Sequence, residues 1–274
     1  STWTADKSYL HRWTNVWFGP AGATTHNHYD ISHNFYAQLY GKKRFILFPP
    51  EEYKNLYLYP FLHPGAQQSQ VSLDDPNIDL RSFPNFKNAV AYDAILEPGD
   101  VLYLPPLWFH HVVALTHSMS VSVWTRYPET ISMYGTVRSS LPFERSWNKT
   151  MLVTAGKLYL RLLLDSLDGE GSTASFVSEL VETRYQHLID TQPNFLRKDA
   201  SFCANALLPV TEEELYRANK DTFDAFIEKQ VQLFSSVPSK ARRNIWLGNL
   251  CEQLALTVAG LESVPRFLVD LANC

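Results

Sequence analysis

The chain has 274 residues, 45% hydrophobic, 14% aromatic and 19% charged, with a formal charge of -4. That apolar fraction fills one large core or two small ones and excludes an intrinsically disordered chain. Without a basic excess there is no general field for nucleic acid, and no run approaches the about 18 apolar residues of a membrane span. Cys203, Cys251 and Cys274 form neither a paired metal motif nor a disulfide framework, so a reducing cytoplasmic or nuclear setting is expected.

Up to about residue 130, short β-branched and aromatic runs alternate with Gly, Pro, Asn and Asp clusters. These runs predict strands over 15–18, 24–30, 34–40, 43–48, 93–96, 101–104, 111–115 and 119–127. Turn pairs such as Gly19-Pro20, Gly41-Lys42 and Pro49-Pro50 bound several of them. Strands so short and so closely spaced argue for a sandwich or barrel. Residues 51–90 read as a long Pro-, Asn- and Asp-rich excursion between two strands, the kind of loop that builds the mouth of a site.

Beyond residue 130 the period becomes helical. Trp147, Met151, Ala155, Leu158 and Leu162 form one apolar stripe; Phe176, Leu180, Tyr185 and Leu188 form a second. Thr211 and Glu214 have capping-box spacing ahead of Leu215, Phe223, Phe226, Ile227 and Phe234. Leu247, Leu250, Leu254, Val258 and Leu261 mark a fourth helix. The expected organisation is a mainly β domain over 1–130 and a helical bundle over 131–274. Apolar faces to spare in the bundle predict a homodimer through its last two helices.

The chemistry concentrates in Thr25-His26-Asn27-His28-Tyr29-Asp30. On a regular strand His28 and Asp30 share a face, and His26 shares it with them. An imidazole and a carboxylate two residues apart are half of a divalent metal site. His110 or His111, after the Gly99-Asp100 strand, supplies the third ligand. Two histidines and one carboxylate leave open positions on the metal, as in non-haem Fe(II) oxygenases. Lys43 opens a strand whose next residues are apolar, where an unpaired lysine is costly to bury. Alone, Lys42, Lys43 and Arg44 would merely solvate a hairpin; beside a metal triad, a lysine reaching inward to a dicarboxylate is the better reading.

The run from Thr25-His26-Asn27-His28-Tyr29-Asp30 through Asn34-Phe35 and Gly41-Lys42-Lys43 to Phe48-Pro49-Pro50 resembles the Jumonji-C (JmjC) 2-oxoglutarate oxygenases. Among these it is most similar to the hypoxia-inducible-factor asparaginyl hydroxylase type. The resemblance covers 13–127, through Gln68-Ser69-Gln70-Val71, Phe83-Pro84-Asn85-Phe86 and Pro98-Gly99-Asp100-Val101. Its end, Ser120-Val121-Ser122-Val123-Trp124, is similar to Jumonji-domain-5 hydroxylases.

The resemblance implies a double-stranded β-helix (jelly roll) in which His28, Asp30 and His110 hold Fe(II). Lys43 and Thr25 would bind the distal carboxylate of 2-oxoglutarate, with Asn34 beside it. It also implies dioxygen as oxidant, succinate as co-product and hydroxylation of a protein or peptide side chain, with Gln67, Gln68 and Trp124 in the substrate groove. Trp124 stands where the asparaginyl hydroxylase has an asparagine, Gln67 where it has an arginine, and Ile31 where it has an acid. Those departures bear on the substrate more than on the chemistry. The alternatives are N-methyl-lysine demethylation by the same chemistry, hydroxylation of a tRNA base, a non-catalytic JmjC-like scaffold, and a zinc cupin that recruits His26. Against them stand, in turn, the absence of a histone-reader motif, a pI of about 6.1, the intact triad and the lack of a Glu ligand.

Overall fold

The computed structural model describes residues 12–125, 127–138, 141–142, 146–191 and 211–273. The chain separates into two compact units, Ser1–Tyr59 with Gly65–Gly135, and Pro60–Pro64 with Thr136–Cys274. The first unit carries β1 (Arg12–Gly19), β2 (Thr24–Tyr29), β3 (His33–Tyr40), β4 (Lys43–Phe48), β5 (Tyr92–Leu96), β6 (Val101–Leu104), β7 (Phe109–Ala114) and β8 (Ser118–Thr125). They form two antiparallel four-stranded sheets, ordered β1-β8-β3-β6 and β2-β7-β4-β5. This is a cupin-like sandwich, the jelly roll expected from the sequence.

Alternation places the core between the sheets. Tyr36 and Leu104 from one sheet meet Phe45, Leu47, Leu96 and Val112 from the other. Each such buried side chain contributes about 1.5–3 kcal/mol over its exposed state. The polar partners of β4 point outward, where Arg44 pairs with Asp93 on β5 at 2.8 Å. The β3–β4 connection depends on Gly41 (φ 68°), because a Cβ there would lie 2.0 Å from the His117 carbonyl oxygen.

Every predicted strand is present, with shifted ends. β7 starts at Phe109 rather than at 111, because its ladder with β2 and β4 runs on through His110. His110 is therefore a strand residue, opposite His28 on one side and Leu47 on the other. The excursion after β4 has a small core of its own, made by Tyr57, Val71 and Phe83. Part of it lies along the free edge of β2: Tyr29 N–H donates to Gln67 O (3.1 Å) and Ser69 N–H to Asn27 O (2.9 Å).

The second unit is helical. After α1 (Pro128–Val137), which spans the boundary, come α2 (Lys149–Asp168), α3 (Ser172–Arg184), α4 (Gln186–Thr191), α5 (Glu212–Ser235), α6 (Lys240–Ala259) and α7 (Val264–Ala272). The predicted second stripe is two helices, broken at Tyr185, and α5 kinks at Asn219. Leu261 falls outside α6, beyond Gly260 (φ 91°). The Thr211–Glu214 capping box forms as expected. Arg184 and Glu252 make a buried ion pair at 2.8 Å, and Glu252 also accepts the Phe61 N–H at 2.6 Å. Cys251 is a buried free thiol, whereas Cys203 and Cys274 lie outside the described residues. No helix among the described residues is long and apolar enough to cross a membrane.

Candidate metal centre

The ladder itself brings the ligands together. His28 on β2 opposes His110 on β7, and their rings lie 4.2 Å apart between centroids. Asp30, just past the end of β2, aims its two oxygens at the two imidazoles. His28 Nε2 lies 3.9 Å from Asp30 Oδ1, and His110 Nε2 lies 3.8 Å from Asp30 Oδ2. One ligand atom from each residue falls within 4.8 Å of the others. Among the described residues this is the one such group of three histidine, cysteine or carboxylate side chains.

Backbone carbonyls fix which nitrogen each histidine offers. His28 Nδ1 sits 2.8 Å from His26 O, and His110 Nδ1 sits 3.2 Å from Trp108 O. A carbonyl only accepts, so in the neutral rings both protons reside on Nδ1 and both Nε2 lone pairs face the carboxylate. Burial pushes the His110 imidazole down to about 3, so it stays an unprotonated donor in mild acid. Burial also raises the Asp30 carboxyl above its ordinary range, against the opposing pull of His28 and of an Asn34 hydrogen bond. Asp30 Oδ2 is buried with no hydrogen-bond donor. Two lone pairs and a carboxylate converging without a proton between them fit a divalent cation. Two imidazoles and one carboxylate suit a first-row metal with positions left open.

The triad opens into a cavity of about 100 Å³ between the sheets. Thr25, Asn34, Lys43 and Trp124 line it with the three ligands, and Trp17, Tyr36, Phe45, Leu104 and Val112 complete the wall. Thr25 reaches the same cavity as His28 because β2 carries a bulge between them. In a regular strand, residues three apart face opposite ways. The bulge also turns His26 off the face that a regular strand would give it. It does not join the group but lies with Nε2 2.9 Å from Ser69 O, tying β2 to the excursion. His111 is buried on the other side of β7, 3.3 Å from Asp74.

Lys43 Nζ donates to the Tyr36 hydroxyl at 2.7 Å, and no carboxylate of the described chain pairs with it. Tyr36 is the residue the sequence reading missed. Its signal was available, since it lies two residues after Asn34 on β3 and therefore shares its face. The Asn34 Oδ1 and the Trp124 Nε1 are buried without partners, and the two residues are directly opposed across β3 and β8. Gln67 and Gln68 do not line the cavity, although Gln68 bridges to His28 through the backbone and its side chain is exposed.

Residues 5–130 match the cupin-like domain family. Over 111 residues the chain is 46% identical to lysine-specific demethylase JMJ30 of Arabidopsis thaliana, covering 40% of this chain and 25% of the relative. It is 42% identical over 100 residues to tRNA wybutosine-synthesizing protein 5 of Danio rerio (36% and 28%). It is 39% identical over 111 residues to Jumonji C domain-containing protein 5 of Drosophila melanogaster (40% and 26%). The matched stretch thus spans only about a quarter of the length of these curated relatives.

Proposed function

We infer that the cupin-like domain of this chain, homologous to JmjC-domain proteins, is the catalytic domain of an Fe(II)- and 2-oxoglutarate-dependent oxygenase that hydroxylates a protein side chain. The observation that carries the reading is the convergence of two carbonyl-oriented Nε2 atoms and the Asp30 carboxylate on one point of the cavity between the sheets. When bound there, Fe(II) with 2-oxoglutarate supplies the dioxygen chemistry that oxidises a C–H bond while the 2-oxo acid is decarboxylated to succinate.

The chain's own residues divide the remaining work. His28, Asp30 and His110 hold the metal, and Asn34 orients Asp30 through its hydrogen bond. Lys43, short of a counter-charge, takes the distal carboxylate through a charge-assisted contact, with Thr25 on the same wall. Phe45, Leu104, Val112 and Trp17 exclude water from the reacting centre. Gln68, whose backbone bridges to His28 on the outer edge of β2, and its neighbour Gln67 would meet a peptide main chain, with Trp124 on the cavity wall.

The same centre would remove an N-methyl group by hydroxylating it to a hemiaminal that releases formaldehyde. The likeness to a lysine-specific demethylase supports this second reading. The test begins with anaerobic addition of Fe(II) and 2-oxoglutarate. A visible metal-to-ligand charge-transfer band is expected, and it should be absent in His28→Ala. A folded protein without the band overturns the oxygenase reading. Mass spectrometry of peptide substrates then separates the outcomes: gain of one oxygen for hydroxylation, loss of a methyl for demethylation. Oxidation of a tRNA nucleoside with inert peptides would overturn the protein-substrate reading.

A further inference from the structure

We propose that His26 is a positioning residue for the metal centre: its side chain clips the bulge of β2 to the excursion, and the clip holds still the backbone carbonyl that orients His28. Docking of the excursion and loading of the metal are then coupled. The inference rests on the reading of His28, Asp30 and His110 as metal ligands and adds to it a residue outside the cavity.

The bulge is where β7 supports β2 least. Thr25 opposes Val112 and His28 opposes His110, so His26 and Asn27 together face the single residue His111. A bulge leaves its extra residue unpaired and the ladder locally disrupted. Yet this stretch has a task that needs it fixed. The His26 carbonyl oxygen, 2.8 Å from His28 Nδ1, sets the ring so that Nε2 is the atom turned to Asp30.

The excursion supplies the support that β7 does not. Ser69, fully buried, grips the bulge at two points. Its N–H donates to Asn27 O at 2.9 Å, and its own carbonyl oxygen lies 2.9 Å from His26 Nε2. A carbonyl only accepts, so His26 Nε2 carries a proton and donates it. One chain of contacts thus runs from the Ser69 carbonyl through the His26 side chain and the His26 carbonyl to His28. Its outer end is anchored, because Ser69 Oγ donates to Leu56 O at 2.6 Å within the excursion. Whatever metal affinity gains from a docked excursion, docking must gain from bound metal, since such coupling is reciprocal.

The experiment reads both ends in the whole chain. Mn(II) affinity is measured by calorimetry, and exchange of the amides of 67–70 by hydrogen-exchange mass spectrometry with and without Mn(II). His26→Phe keeps a ring and the backbone carbonyl but has no donor; His26→Gln returns an N–H near the place of Nε2. In the wild type, Mn(II) is expected to slow exchange of these amides. His26→Phe is expected to weaken Mn(II) roughly 10-fold, the loss typical of an outer partner of a metal ligand, and to lose the slowing. His26→Gln is expected to restore both. Unchanged Mn(II) affinity in a His26→Phe protein whose excursion exchanges faster would leave His26 a structural tie and overturn the proposal. So would a loss of affinity that His26→Gln does not restore, or wild-type exchange that ignores the metal. That last comparison needs no variant, so it decides the coupling even if His26→Phe does not fold. A wild type that binds no Mn(II) removes the metal-centre reading itself, a separate outcome.

Discussion

Replacing Asp30 by asparagine should make the metal-free protein more stable and the metal-loaded protein less so. Asp30 is a buried carboxylate whose Oδ2 has no donor, facing two imidazole lone pairs at 3.8 and 3.9 Å. An unsatisfied buried acceptor costs about 1–3 kcal/mol. An amide places its one NH2 where Oδ2 faces the His110 lone pair, and keeps an oxygen for Asn34. The substitution should therefore return about 1–2 kcal/mol, a rise of roughly 3–10 °C for a domain of this size. The pH dependence follows from the raised carboxyl. A group whose folded pKa lies above its unfolded value stabilises the fold below the unfolded value, 3.8, and loses that contribution as pH rises through the folded value. The advantage of Asp30→Asn should thus vanish in acid and grow toward neutrality. Adding Mn(II) at about 100 times its dissociation constant stabilises the wild type by about 2.7 kcal/mol and should do nothing for the variant, so their order inverts. Calorimetric melting of both proteins, with chelator and with metal, is the assay. A metal-free variant no more stable than wild type at neutral pH, or a metal shift that survives the substitution, would refute the reasoning.

Lys43→Ala should raise the 2-oxoglutarate requirement well beyond its effect on metal affinity; an unchanged requirement reassigns the co-substrate wall. In the helical unit, Glu252→Ala strips Arg184 of its buried counter-charge and the Phe61 N–H of its acceptor, and should cost about 3–5 kcal/mol by chemical denaturation. Glu252→Gln, which keeps an acceptor, should cost less. Gly41→Ala drives a Cβ to 2.0 Å from the His117 carbonyl, so the β3–β4 turn must open. A loss well above about 1 kcal/mol is expected, and a neutral substitution would contradict the turn geometry. The homodimer through the last two helices expected from the sequence, α5 and α6, predicts sedimentation at twice the 31.4 kDa of one chain at micromolar concentration. A monomeric mass removes it.

Much of this was legible from spacing. Alternation in Phe45-Ile46-Leu47 and the turn at Gly41 locate the strands because a half-buried sheet has period two and a positive φ needs glycine. His28 and Asp30 were identifiable because ligand chemistry restricts residue type, which left His110 and His111 as alternatives that only the family resemblance separated. What stayed hidden depends on long-range pairing. The start of β7 at Phe109 is set by two neighbouring strands, which no local run of residues reports. The break at Tyr185 lies inside a stripe whose apolar period continues across it, so periodicity joins what the backbone separates. α1 and α7 were missed because short helices carry too few turns to establish a period. Tyr36 was passed over as packing, since aromatics in strands usually are packing.

The bulge in β2 acts as a frameshift in the code that assigns residues to faces. Upstream of it odd positions such as Thr25 face the cavity; downstream, even positions such as His28 and Asp30 do. Deleting one residue between Thr25 and His28 would restore a uniform frame, yet keep every residue that lines the cavity. Such a chain should keep Thr25 and the metal ligands on one face, but the bulge's extra backbone, which lets the excursion dock through Asn27 and His26 onto Ser69, would be gone. Inserting one there would also give an even spacing, four, but would leave two residues more on β2 than β7 offers opposite them. Templates that assume unbroken alternation will therefore misassign one side of the bulge or the other.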